Sequence, residues 1–165
     1  MANVALIQNK SEIIEDLNVK GNILAPNRPA FLLGWPGIMS LTTTAVVPPT
    51  GGTVKFNNGN HFNTSTMRFV CPVAGLYSLG FSYLRQSGNS VVVRGNFYKN
   101  GAVLPPQLRS TEGYVGYNYT AGQWYIEYAN AGDYFELKLS ADNPTSLYSD
   151  NGNLSYNWLC GYLIG

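Results

Sequence analysis

Residues 56–77 read FNNGNHFNTSTMRFVCPVAGLY. Asn58-Gly59 is a tight-turn signal, residues 69–71 form an aromatic-rich extended segment, and Pro72-Val73-Ala74-Gly75 turns into a second strand at Leu76. Glycine and asparagine supply the positive φ angles such turns need, and proline fixes the corner. From there the chain alternates: Tyr77, Leu79, Phe81 and Tyr83 line one face, and Ser78, Gly80 and Ser82 the other. A period of two is the mark of a half-buried strand.

Strand signals continue on both sides of this stretch. Residues 30–33 and 41–47 are apolar and β-branched, the second run ended by Pro48-Pro49-Thr50-Gly51-Gly52. Residues 90–98 read as a strand closed by the hairpin turn Lys99-Asn100-Gly101. Residues 112–119 and 124–128 read as two more, with Ala121-Gly122 between them. Asn130-Ala131-Gly132-Asp133 turns into a strand with Phe135, Leu137 and Leu139 inward. In residues 154–164, Tyr156, Trp158, Cys160, Tyr162 and Ile164 alternate with Ser155, Asn157 and Leu159. So few polar positions fit a central strand covered on both faces better than an exposed edge. About eight to ten short strands at a spacing of roughly 8–12 residues predict an all-β sandwich or jelly roll.

The start of the chain is different. Its charged residues are Lys10, Glu12, Glu15, Asp16 and Lys20, and it has no aromatic residue before the break at Pro26-Asn27-Arg28-Pro29. Asn9 with Glu12 resembles a capping pair for a short helix that places Ile13, Ile14 and Leu17 on one side; an extended piece with Val19 follows. Such a segment cannot bury itself alone. It is either a disordered leader or an arm that docks on a larger assembly; residues 1–27 are read as the arm, and residues 28–165 as one domain.

Composition sets the limits of function. The 165-residue chain is 45% hydrophobic but only 12% charged, against a usual charged share of about 25%. A surface so poor in ions suits a chain that buries much of its exterior in an assembly. The net charge of +1, with cations scattered from Lys10 to Lys138, argues against nucleic-acid binding. No run of 18 or more apolar residues is present, so membrane insertion is not expected. The first residues lack the basic and long apolar regions of a signal peptide, and synthesis in a cytoplasm is expected. Cys71 and Cys160 make no disulfide framework; each lies in a strand-like apolar context, where a thiol packs as a small hydrophobe.

Phe56, Gly59, His61, Phe62, Asn63, Phe69, Cys71, Pro72, Gly75 and Tyr77 stand in the register of a known pattern. It resembles the central motif of the complement C1q globular domain, within the tumour-necrosis-factor-like jelly rolls. Arg28-Pro29-Ala30-Phe31, Lys99-Asn100-Gly101, Gly132-Asp133 and Gly161-Tyr162-Leu163-Ile164 resemble other pieces of the same domain. The resemblance implies a ten-stranded jelly roll that assembles as a trimer. Two features depart from vertebrate members: no collagen repeat precedes the domain, and residue 67 is Met where glycine is commoner. The first argues against a complement-like or hormone-like role. Asp16-Leu17-Asn18-Val19-Lys20-Gly21-Asn22-Ile23 resembles the segment before terminal domains of phage fibres and virion surface proteins.

Enzymatic motifs are missing. His61, the only histidine, falls within the structural motif; the cysteines lack metal-ligand spacing; Gly51-Gly52 is followed by no phosphate-binding residues. No catalytic residue, cofactor or metal is expected. The loop from Asp142 to Asp150 is oxygen-rich and open to two readings, a calcium site or a solvated loop of Asx-turns. Tyr114, Tyr117, Tyr119, Trp124, Tyr125 and Tyr128 cluster among Gly and Asn, a composition suited either to packing or to recognition. The candidate partner-binding residues are Ile13, Ile14, Leu17 and Val19 in the arm, with Tyr117, Tyr119, Trp124 and Tyr125 in the domain. The expected function is a trimeric capsid decoration (cement) protein on a phage virion surface, its arm bound to the major capsid protein. The alternative is a receptor-binding knob on a fibre or baseplate, touching a host surface glycan or protein.

Overall fold

The computed structural model describes residues 28–35, 38–85, 91–105, 108–110, 119–148, 154 and 156–165. Thirteen strands run through them: β1 Ala30–Gly34, β2 Met39–Leu41, β3 Thr53–Asn58, β4 Phe62–Asn63, β5 Arg68–Val70, β6 Gly75–Arg85 and β7 Val93–Lys99, followed by β8 Ala102–Val103, β9 Leu108–Ser110, β10 Tyr119–Ala129, β11 Tyr134–Ala141, β12 Thr145–Leu147 and β13 Trp158–Leu163. One sheet of seven strands runs β2-β12-β6-β13-β1-β3, with β10 also paired to β6; the other, of six, runs β4-β5-β11-β7-β8, with β9 paired to β7. The chain folds as an all-β two-sheet jelly roll, as its alternation predicts. Thirteen segments appear where ten strands were expected, because several pieces are only two or three residues long.

The core lies between the sheets. Tyr77, Leu79, Phe81 and Tyr83 of β6 face Val93 and Phe97 of β7 and Phe135, Leu137 and Leu139 of β11 across it, all buried. Rings of Phe62, Phe31, Phe69 and Tyr77, in that order, form a chain with centroids 4.3, 4.9 and 5.7 Å apart. Gly95 leaves room for Phe81, whose ring would lie 2.5 Å from a Cβ there.

Residues 56–77 fold as turn chemistry dictates. Gly59 and Asn60 take φ of +74 and +57°. Asn57 staples the turn: its Nδ2 donates to the Phe62 carbonyl at 2.8 Å, and Phe62 N–H donates back to Oδ1 at 3.0 Å. The His61 ring packs over Gly59, where a Cβ would meet Nε2 at 2.3 Å, and the His61 carbonyl accepts the Val70 N–H. Asn63 Oδ1 accepts the N–H groups of Ser65 and Thr66, an Asx-turn. Met67, where the resemblance led one to look for glycine, has φ +55° and is 1% exposed.

Three local expectations are corrected. Residues 41–47 are not one strand: β2 stops at Leu41, and Val46 makes only an isolated bridge to Leu139. Thr42 Oγ1 accepts the Thr44 N–H at 3.3 Å, a local bond that competes with the ladder. Ala121-Gly122 is no turn but the interior of β10, paired with Tyr83 and Ser82. A Cβ on Gly122 would lie 2.6 Å from the Phe81 carbonyl, so glycine here allows close backbone approach. Residues 112–118, read as a strand, lie outside the described residues. The last strand is central, between β1 and β6, but starts only at Trp158. Before it, Asn157 is fully buried and bridges segments, accepting the Leu84 N–H at 2.8 Å and donating to the Tyr148 carbonyl at 2.6 Å.

Candidate functional site

The strand pairing of the larger sheet lines up one row across its outward side. Trp124 lies opposite Gly80, Gly80 opposite Cys160, Cys160 opposite Leu32, and Leu32 opposite Phe56. Flanking rows carry Ile126, Ser78, Tyr162 and Ala30 on one side, and Gly122, Ser82, Trp158 and Gly34 on the other. No charged side chain occurs in these rows.

Much of this surface is apolar and open. Trp124 is 59% exposed, Ile126 60% and Tyr128 53%, and Leu76, Phe56 and Tyr162 are also exposed. The strand expected to be covered on both faces is thus covered on one alone within a single chain: Leu159 is buried in the core while Tyr162 is 43% exposed. Trp124 and Trp158 pack ring to ring at 5.8 Å. Around them lies an apolar depression of about 490 Å³ whose walls include Leu32, Phe56, Cys160 and Tyr162. Patches of this extent are uncommon on monomers and mark sites of association.

Glycine shapes the floor. A Cβ at Gly80 would stand 2.7 Å from Cε3 of Trp124, so the indole lies flat across the strand only because that position is bare. Burial pushes the Cys160 thiol up to about 11, which keeps it a neutral apolar side chain at physiological pH. Cys71 is raised to about 12, by burial and then by Asp133. Both thiols are unpaired.

Of the sequence-predicted site residues, Trp124 stands on this face, at the β10 end of the row. Tyr125 points to the opposite side of β10, half-buried against the core, where burial and then Glu127 raise its pKa. The two are therefore not one binding surface. Tyr119 begins β10 opposite Arg85; its side chain, together with Tyr114, Tyr117, Ile13, Ile14, Leu17 and Val19, lies outside the described residues. Asp142 Oδ1 accepts the Val92 N–H at 2.8 Å, while Asp150 lies outside the described residues. Among the described residues no group of three His, Cys, Asp or Glu could hold a metal ion. Leu32, Phe56, Gly80, Trp158 and Cys160 are not among the partner-binding candidates read from sequence. Their signal was present in part, because outward positions of residues 76–82 and 158–162 are all small or apolar.

No family model and no curated protein matches the sequence. Solved structures do match the fold. The globular domain of zebrafish complement 1qA superposes with a TM-score of 0.62 at 16% identity, covering 84% of this chain and 98% of that one. Murine APRIL gives 0.58 at 12% identity over 83% and 99% of the two chains. The Eiger TNF of S. frugiperda gives 0.60 at 10% over 84% and 94%. The chain has the C1q/TNF jelly-roll fold.

Proposed function

We propose that this chain is a non-enzymatic structural protein that forms a homotrimer through the outward face of β1, β6, β10 and β13. The trimer would decorate a phage virion, with residues 1–27 attaching it to the major capsid protein. The observation that carries the assembly reading is the uncharged row Trp124–Gly80–Cys160–Leu32–Phe56, with Ile126, Tyr128, Leu76 and Tyr162 exposed around it. At about 25 cal/mol per Å², covering such side chains favours association strongly. A second copy is the occupant whose own exposed surface has the same apolar chemistry. The decoration reading is supported by the distinct composition of residues 1–27 and by their resemblance to segments of virion proteins.

A fibre-tip or baseplate knob that contacts a host surface remains the second reading, supported by a cationic and aromatic surface on the other sheet. Native mass measurement at micromolar concentration tests the assembly, and a stable monomer would overturn it. Immunogold imaging of intact particles separates shell from tail. Deleting residues 1–27 is expected to abolish shell attachment while leaving the trimer folded; unchanged attachment would overturn the arm's role.

A further inference from the structure

The six-stranded sheet turns an unlike face to solvent. Arg68 on β5, Tyr98, Asn96 and Arg94 on β7, and Glu136 and Lys138 on β11 all occupy its outward register. Glu136 is 3% exposed, held between Arg68 Nε at 2.9 Å and Lys138 Nζ at 2.8 Å. Arg68 also lies over the Tyr134 ring at 4.3 Å and Lys138 over the Tyr98 ring at 4.5 Å. The two rings hold both cations in place, which lowers the entropy cost of using them on a ligand.

Among the described side chains three cations share this face with one acid, in a chain whose whole net charge is +1. Arg68 meets Glu136 side-on through Nε, and its side chain is 42% exposed, so its terminal nitrogens are available as paired donors. Lys138 and Arg94 follow at successive outward positions, about 7 Å apart along the strands. Next to them, Asn96 and the apolar Val103, Leu104 and Pro105 line a cleft of about 450 Å³. A buried amide beside apolar walls is the lining a sugar ring meets in a binding cleft.

We propose that this face binds an acidic glycan, its carboxylates on Arg68, Lys138 and Arg94 and one sugar ring in the Asn96 cleft. The near-neutral chain lacks the long basic stripe that a nucleic acid requires. β5, β11 and β7, which carry the cations, are interior strands whose backbone groups are already paired, so they offer no edge to a peptide strand. Glu136 acts as the internal anion with which the ligand's carboxylate competes. The site rests on the trimer only in that the proposed trimer face lies on the other sheet and leaves this one open.

The full chain would be titrated by calorimetry with oligogalacturonate, with neutral galactan of equal length, with poly-glutamate and with single-stranded DNA. Oligogalacturonate is expected to bind at least tenfold tighter than the other three, with affinity falling as salt rises. Arg94→Gln, at a residue with no ion pair among the described residues, should weaken binding about two- to fivefold. Glu136→Gln should tighten it by a similar factor, an effect that a purely structural ion pair would not produce. Equal binding of oligogalacturonate and galactan overturns the proposal. So does equal or tighter binding of poly-glutamate or DNA, and so does unchanged affinity in both variants. Native mass of each sample is read in parallel, so a failed trimer is recorded separately from a failed glycan site.

Discussion

The indole of Trp124 lies on the bare backbone of Gly80, close enough that a single methyl group would collide with it at 2.7 Å. The tryptophan stays 59% exposed on the outward face of the larger sheet, at its β10 edge. Gly80→Ala is expected to lift the ring. Because the ring can swing outward, the isolated fold should lose no more than about 1–3 kcal/mol, while the proposed trimer should weaken by at least tenfold. Melting temperature and native mass, measured on the same sample, check the two parts. A trimer as strong as the parent's would show that the flat indole plays no part in association.

Ile126 offers a cleaner separation of folding from assembly. It is 60% exposed and borders the same row, so Ile126→Glu should change the stability of the single chain by less than about 0.5 kcal/mol. An unpaired carboxylate buried against a second copy is costly. The variant is expected to sediment as a folded monomer with an unchanged circular dichroism spectrum.

Met67 tests how strain and burial trade against each other. Its φ of +55° disfavours any residue with a Cβ, by about 1–2 kcal/mol. Yet the side chain is 1% exposed, and truncating a buried methionine costs about 2–5 kcal/mol. Met67→Gly relieves the strain and loses the packing, so a net loss of about 1–3 kcal/mol is expected in denaturant unfolding. Met67→Leu should cost under about 1.5 kcal/mol. A more stable glycine variant would mean that backbone strain dominates.

Two carboxylates make the fold acid-sensitive. Burial pulls Glu136 upward, but the bonds from Lys138 and Arg68 outweigh it and hold the group below its ordinary value. Asp133 is lowered by the Asn100 side chain and then by the Asn130 N–H. A depressed carboxyl contributes stability that is complete above its unfolded pKa, about 4 for these residues. That contribution is lost as pH falls through the lower folded value. Urea midpoints should therefore stay flat from neutrality to about pH 5 and fall below about pH 4. The fall should be shallower in Glu136→Gln and Asp133→Asn, and a slope unchanged in both would refute the assignment.

Local pattern carried the fold further than it carried the site. The alternation of β6, the inward set Phe135, Leu137 and Leu139, and the central place of β13 follow from neighbours two residues apart. Trp124 and Tyr125 had to face opposite sides for the same reason, although aromatic density in the sequence grouped them. The row on the larger sheet is another matter. Phe56, Gly80, Trp124 and Cys160 are far apart in sequence, and only the register of five strands brings them level. Gly122 misled for a related reason: a glycine that admits a neighbouring backbone looks the same in sequence as one that makes a turn.

Both ends of the jelly roll meet at one pole. Arg28 donates to the Ile164 carbonyl at 3.0 Å, Leu163 N–H to that of Pro29, and Leu76 N–H to that of Gly165. Along β1 the chain runs from Ala30 beside Asn58 to Gly34 beside Thr53, about 14 Å away. A reporter fused behind Gly165 would sit beside Arg28, where the described part of the chain begins. The turn at Thr50-Gly51 lies toward the far pole, and around Gly51 there is open space. A foreign peptide spliced in there would hang clear of Arg28 and Gly165, which makes that turn the place to display cargo.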